Sequence, residues 1–188
     1  MSFLRVDGLV KSFGQLLAVN HVTLSVEREG VLSIIGPNGA GKTTLFNLLT
    51  GLYRPDRGSI LFKGKEISRL APHEIIKYGI SRSFQVASLF EDMTVLENIQ
   101  MGVQSDMGHK SRLFSRFEGN GPVDEKSLRI LKRVGLIELK DRAVSAISHG
   151  DRKILDIAMA LTTGPELLLL DEPTSGLAGE EQARVVNL

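Results

Sequence analysis

The chain contains no cysteine, which removes disulfide scaffolds and thiolate chemistry from consideration. An excess of charge of one sign is also missing, since 23 Lys and Arg stand against 22 Asp and Glu for a net charge of +1. No general field therefore draws the chain to nucleic acid or to anionic lipid. No apolar run approaches the ~20 residues that cross a bilayer as a helix, so a membrane role has to come through a partner. The opening MSFLRVDG lacks the basic-then-apolar pattern of a signal peptide. Repeats and low-complexity tracts are absent as well. What remains is 188 residues, 42% hydrophobic and 24% charged, an ordinary globular composition. One domain of this length buries roughly 70% of the surface its unfolded chain exposes.

Periodicity places the elements. In HVTLSVE, Val22, Leu24 and Val26 alternate with polar residues and predict a half-buried strand. VLSII, residues 31–35, is nearly all apolar and predicts a central strand covered on both faces. A helix is expected from Lys42 to Thr50 with Gly51 at its C-cap, followed by a turn and strand in RPDRGSILFKGKEI. Pro72 suits the first turn of a short helix that Gly79 ends. Thr94 and Glu97 have capping-box spacing. Leu128, Leu131 and Val134 recur at helical spacing before Gly135. Residues from about 86 to 150 thus read as a helical subdomain inserted into an α/β core. Its basic loop, with Lys110, Arg112 and Arg116, reads as a solvated insertion or as a docking patch. LLLLDEP returns to a buried strand, and a last helix is expected near Gly179.

GPNGAGKT, residues 36–43, fits G-x-x-x-x-G-K-[ST]. Chance supplies such a match in under about 1% of chains this long. It lies between an expected strand and an expected helix, the setting of a phosphate-binding loop. Gly36, Gly39 and Gly41 allow the backbone to turn and approach an anion closely. Pro37, Asn38, Ala40 and Thr44 complete the loop, whose N–H groups and helix start face phosphate. Lys42 offers its charge to the β- and γ-phosphates, and Thr43 its hydroxyl to Mg²⁺. Further on, ELLLLDE ends a buried strand in Asp171 and Glu172. Ligands of open α/β sheets sit at that edge. Asp171 is placed to hold Mg²⁺, and Glu172 to act as general base on an attacking water.

Together these elements resemble the ATP-binding cassette (ABC) family, and further positions fit the pattern. Gln85 in SRSFQVASLF matches the family's Q-loop, whose glutamine reaches Mg²⁺ and the attacking water and relays nucleotide state to the helical subdomain. Phe13 in VKSFGQ matches the aromatic that stacks on adenine. ISHGD, residues 147–151, matches the signature L-S-G-G-Q, keeping Ser148 and Gly150 but placing His149 and Asp151 at the first glycine and the glutamine. In the family, Ser148 and Gly150 would meet the γ-phosphate bound by the opposite subunit. A carboxylate aimed at that phosphate repels it, so Asp151 is expected to point sideways. Ser175, Gly176 and Leu177 match the D-loop, which crosses the dimer interface.

The resemblance implies an α/β P-loop NTPase with a mostly parallel core sheet, an antiparallel N-terminal β subdomain and an inserted helical subdomain. Residues 1–85 and 151–188 would form the nucleotide-binding core, and 86–150 the helical part. The variant signature, AVNHVTLSV and FEDMTVLENIQMG are similar to the ATPase subunits of branched-chain amino acid importers, with urea and amide importers as close relatives. That branch implies ATP and Mg²⁺ as cofactors and a second ABC ATPase subunit, identical or homologous. It also implies transmembrane permease subunits, indirectly a solute-binding protein, and no nucleic acid. The location implied is peripheral, on the cytoplasmic face of the inner membrane.

The family pattern continues with a strand, beside the P-loop strand, that ends in a switch histidine. The four histidines, His21, His73, His109 and His149, all precede Asp171, so the chain is expected to be a fragment. Losing such a strand removes roughly 5–10 kcal/mol of burial from a total of ~5–15 kcal/mol. The 188 residues are therefore expected to be marginally stable and to hydrolyse ATP poorly. Two alternatives are a non-catalytic ATP-dependent interaction module and a soluble ABC ATPase of DNA repair or translation. The latter normally carries coiled-coil insertions or tandem cassettes, which this sequence lacks. A P-loop kinase has no use for a signature or a Q-loop.

Overall fold

The structure is a computed structural model that describes residues 2–83, 89–106, 121–177, 179 and 182. Gln85, Lys110, Arg112 and Arg116 lie outside the described residues. The chain divides into two compact units, Met1–Ile80 and Ser81–Leu188.

The first unit is built on an antiparallel sheet. Strands β1 (Leu4–Phe13) and β2 (Leu16–Val26) form a hairpin that closes at the Phe13–Leu16 pair. Strand β3 (Arg57–Phe62) pairs antiparallel with the other edge of β1, and β4 (Lys65–Glu66) folds back on β3, giving the order β2-β1-β3-β4. In β1, buried Leu4 and Val6 flank exposed Arg5, the alternation of a sheet with one covered face. The register then shifts between Val6 and Leu9, so Leu9 and Val10 both come to be buried. Helix α1 (Lys42–Leu49) buries Leu45, Leu48 and Leu49. It stops where expected: Gly51 has φ 73, and a Cβ there would lie 2.6 Å from the Leu70 carbonyl oxygen, so no other residue fits this turn. Helix α2 (Pro72–Lys77) begins at Pro72 as the sequence predicts, and Gly79 follows at φ 94.

Residues 31–35 depart from expectation. They form no strand, and Val31 is 96% and Ile35 93% exposed. The reason is the absence of pairing. An extended apolar segment becomes a central strand only when chains on both edges take its N–H and C=O groups, and no described segment pairs with 31–35.

The second unit packs helices on a short sheet. Strand β5 (Ile80–Arg82), whose last two residues belong to this unit, pairs with β6 (Leu167–Leu169), and Ser83 N–H donates to the Leu169 carbonyl at 3.1 Å. Of the expected mostly parallel core sheet, these are the described strands. The four-leucine run is shorter as a strand than expected. Leu169 is buried, but Leu167 and Leu168 are only half-buried, because β6 has one strand neighbour among the described residues.

Helix α3 (Val95–Asp106) opens with the expected capping box: the Thr94 hydroxyl accepts from Glu97 N–H, and the Glu97 carboxylate from Thr94 N–H. Val95, Ile99 and Val103 recur every four residues along its buried face. They meet Ile130 and Leu131 of α4 (Gly121–Arg133) and Ile154, Leu155 and Ala158 of α5 (His149–Leu161) in one core. Leu128 is a correction. It is exposed, and Ser127 is fully buried in its place. Residues 127, 130, 131 and 134 form the i, i+3, i+4, i+7 stripe of a helix, so geometry selects the serine although hydropathy points to its neighbour.

Urea titration should separate the covered from the uncovered apolar residues of the first unit. Val31→Ala is expected to change stability by less than about 0.5 kcal/mol, whereas Ile60→Ala, at a position with no exposure, should cost about 2–5 kcal/mol.

Candidate functional site

In the first unit the glycine-rich loop reaches α1 at Gly41, which has φ 87. A Cβ on Gly41 would sit 2.1 Å from the carbonyl oxygen of Ala18, so the loop can rest this closely on β2 only through glycine. Gly39 also has a left-handed φ, of 82, but a Cβ there would meet nothing within 4 Å, so its side is open to a ligand. Gly36, Pro37, Asn38, Gly39 and Ala40 form the turn before it, with Ala40 N–H donating to the Pro37 carbonyl at 3.2 Å. Lys42 folds back along this loop. Its Nζ donates to the carbonyls of Gly36 at 2.6 Å and Pro37 at 2.9 Å. Thr43 is exposed and Thr44 half-buried. No side chain caps α1, and no acidic residue lies in its first turn. Its first N–H groups therefore meet neither a capping oxygen nor a repelling carboxylate, which is the chemistry of an anion cradle.

Phe13 ends β1 and is 42% exposed. The Tyr53 ring meets it edge-on at 5.2 Å between centroids, and the Lys11 ammonium lies 5.6 Å from its centre. Tyr53 N–H donates to the Asn47 carbonyl on α1, so the aromatic pair is tied to the helix that follows the loop. Asp56 fixes the end of β1, accepting from Lys11 Nζ at 2.8 Å and from Ser12 N–H at 2.7 Å. The Lys11 hydrogen bond, then that of Ser12, holds the Asp56 carboxyl below its ordinary range. Tyr53 is a candidate that sequence reasoning missed; its one local signal is an aromatic side chain just past a helix-ending glycine.

In the second unit β6 leads to Asp171, which is buried. Its Oδ2 accepts from Arg82 Nη2 of β5 at 2.8 Å, and both side chains are less than a tenth exposed. Glu172 is exposed, and its backbone is left-handed at φ 47. That conformation costs a residue with a Cβ roughly 1–2 kcal/mol, so the surroundings have to impose it. Lys153 of α5 does part of this: its Nζ donates to the Glu172 carbonyl at 2.7 Å and to the Ser175 carbonyl at 2.6 Å. Burial pulls the Lys153 ammonium below the ordinary lysine range, opposed by the Glu172 and Asp156 carboxylates. Gly176 follows at φ 74, and Leu177 is buried in the helical core. Arg82 and Lys153 escaped the sequence reading because their partners lie 89 residues away for Arg82, and 19 and 22 for Lys153.

The signature segment starts α5. Ser148 is the N-cap, and its hydroxyl oxygen accepts from Asp151 N–H at 3.0 Å. Gly150 is buried in the first turn and His149 is exposed. Asp151 does not point sideways as expected. Its Oδ2 accepts a hydrogen bond from the Ser148 hydroxyl at 2.8 Å. In the first turn a carboxylate is attracted by the helix dipole, and the cap hydroxyl lies within reach as a donor.

The comparisons with known proteins agree with this set of motifs. A family profile described as "ABC transporter" matches residues 19–175. The high-affinity branched-chain amino acid transport ATP-binding protein LivG of Escherichia coli K12 is 40% identical over 185 residues, which cover 95% of this chain and 72% of that protein. The corresponding protein BraF of Pseudomonas aeruginosa is 41% identical over the same shares. A solved ATP-binding cassette of an ABC transporter superposes with a TM-score of 0.87 at 36% identity, covering all of this chain and 75% of its own. The ADP conformation of such a cassette gives 0.85 at 35% identity, with the same coverage.

Removing one partner of the buried ion pair should be costly, since the other charge then stays uncompensated. Arg82→Ala is expected to destabilise the second unit by about 3–5 kcal/mol, read as a lower urea midpoint. A change under about 0.5 kcal/mol, the range of an ordinary surface substitution, would contradict the pairing.

Proposed function

The chain belongs to the ABC transporter family of P-loop ATPases, and from that membership we propose that it is the ATP-hydrolysing subunit of an importer for branched-chain amino acids. The observation that carries the nucleotide role is the start of α1, with a lysine beside it and neither cap nor acid in front of it. The solute class is supported by LivG and BraF, whose names specify branched-chain amino acid transport.

Lys42 exchanges the Gly36 and Pro37 carbonyls for phosphate oxygens, and the N–H groups of the loop from Gly36 to Thr44 receive the remainder. Phe13 stacks on the adenine, held from behind by Tyr53. Among the described residues no three His, Cys, Asp or Glu side chains gather into a metal cluster. A hydroxyl and a carboxylate suit Mg²⁺, which keeps waters and takes further ligands from phosphate. Thr43, Gln85 and Asp171 would hold it, and bound there it would neutralise charge on the phosphates. Glu172 accepts the proton of the attacking water.

Ser148 and Gly150 complete the site of a second ABC subunit, a copy of this chain or a homologue. ATP favours the closed dimer through its differential affinity for that state. Residues 86–150 act as the helical subdomain and, through Gln85, pass nucleotide state to transmembrane permease subunits, to which a solute-binding protein delivers cargo. No helix among the described residues is long and apolar enough to cross a membrane. Its likeness to transporter ATP-binding subunits supports a place at the cytoplasmic face of the inner membrane, as a peripheral subunit.

Lys42→Ala removes a charge-assisted contact of about 1.5–3 kcal/mol, so its affinity for fluorescent ATP is expected to fall about 10–100-fold. An unchanged dissociation constant would remove the basis of the nucleotide role. Glu172→Gln at saturating MgATP should accumulate as an ATP-bound dimer by light scattering, and a monomer would count against the two-subunit cycle.

A further inference from the structure

We propose that Lys153 is a positioning residue for ATP hydrolysis: it ties the turn that carries Glu172 to the first turns of α5, so that the base and the signature segment hold one geometry. The proposal rests on the reading of Glu172 as the base.

The Arg82–Asp171 pair and buried Leu177 flank the turn on either side, and between them its own backbone bonds are weak. Ser175 N–H donates to the Glu172 carbonyl at 3.2 Å, and Leu177 N–H to the Thr174 carbonyl at 3.2 Å. Both are long bonds within the turn itself. Glu172 is exposed, in a left-handed conformation that a residue with a Cβ avoids. Lys153 supplies an external hold. Its two acceptors are the carbonyls at the two ends of that turn, at 2.7 and 2.6 Å, lengths typical of charge-assisted bonds. One of them belongs to Glu172, so the ammonium bears directly on the peptide that aims the Glu172 side chain.

The other end of Lys153 is as well anchored. Its neighbours Ile154 and Leu155 on α5 are fully buried in the helical core. Ser148, the cap that would face the second subunit's nucleotide, lies a little over one turn before it on the same helix. A shift of the signature segment therefore carries Lys153 with it, and through Lys153 the Glu172 turn. Closure of the partner's site and orientation of this subunit's own base become one motion.

The test uses the full chain with Lys153→Met, which keeps length and removes the donors, and Lys153→Arg, which keeps a cation. Amide hydrogen exchange is followed at Ser175 and Leu177, with Ile157 and Ala158 of α5 as internal reference. ATP affinity and single-turnover hydrolysis are measured on the same variants and in a Glu172→Gln background. In Lys153→Met, exchange at Ser175 and Leu177 should rise about tenfold while the reference amides stay protected. Hydrolysis should fall about 10–100-fold, the scale of a 1 Å misplacement, with the ATP dissociation constant within about twofold. Lys153→Arg should recover most of both losses, and in the Glu172→Gln background Lys153→Met should cost nothing more. Unchanged exchange at Ser175 and Leu177 overturns the proposal whatever hydrolysis does. Equal losses of affinity and hydrolysis overturn it too, as does a full additional loss on top of Glu172→Gln. Parental hydrolysis by Glu172→Gln alone overturns the base assignment instead, and the coupling to hydrolysis with it.

Discussion

A backbone amide that serves a ligand cannot also serve the fold, and the arrangement around α1 follows from that constraint. Two longer helices of this chain satisfy a first-turn N–H from within. Thr94 and Glu97 cap α3 reciprocally, and Ser148 caps α5. At α1 the N-cap is Gly41, which has no side chain to offer. With glycine as the N-cap the helix gives up only about 0.3 kcal/mol against a capping side chain, and it has eight residues over which to recover it. Recovery comes from packing: Leu45, Leu48 and Leu49 are buried, and Gly41 seats the loop on the Ala18 carbonyl. Lys42, bonded to the Gly36 and Pro37 carbonyls, keeps the loop formed without using the N–H groups on its open side.

The second unit meets the opposite difficulty, which is to keep charged groups at the end of the β5-β6 sheet in a definite orientation. Three anchors from three places do so. Arg82 of β5 holds the Asp171 carboxylate, Lys153 of α5 holds the carbonyls of Glu172 and Ser175, and Leu177 is set into the helical core. The first anchor gains little in net stability, because taking both charges out of water offsets most of their attraction. Its consequence is geometric: with Oδ2 bound to Arg82, the carboxylate plane of Asp171 is fixed. The same logic applies to Lys153, which bonds two carbonyls and whose desolvation is only partly offset by the nearby Glu172 and Asp156 carboxylates.

These anchors also mark the limit of what the sequence discloses. Features set by neighbours within a few residues were legible: the Thr94–Glu97 capping box, the stop of α1 at Gly51, Pro72 opening α2, and the glycine-lysine loop itself. Features set across the chain were not. Arg82 and Lys153 look like ordinary surface cations until β5 meets β6 and the turn meets α5. Residues 31–35 read as a buried strand because apolar content is local, whereas the neighbours that would cover it are not. Ser127 illustrates a subtler case, where periodicity held the answer but the polar side chain argued against it. Fully buried in the stripe of α4, it follows the helix rather than its own hydropathy.

The signature segment shows how a local substitution and a long-range role pull against each other. At the start of α5 the Ser148 hydroxyl oxygen accepts from Asp151 N–H and its proton goes to the Asp151 carboxylate. Both interactions strengthen the helix start, and the carboxylate adds a favourable term with the dipole. An arriving phosphate seeks the same hydroxyl proton and the same N–H groups, and it meets a negative charge already there. Whatever stabilises α5 alone would therefore be subtracted from the affinity proposed for a second subunit's nucleotide. In the proposed two-subunit cycle, where ATP would close the dimer only by the difference between its affinities for the two states, Asp151 in place of glutamine would shift that balance toward the open form. A looser closed state would also separate more readily once the γ-phosphate is gone, so in that cycle the residue that weakens closure would ease reopening by the same interaction.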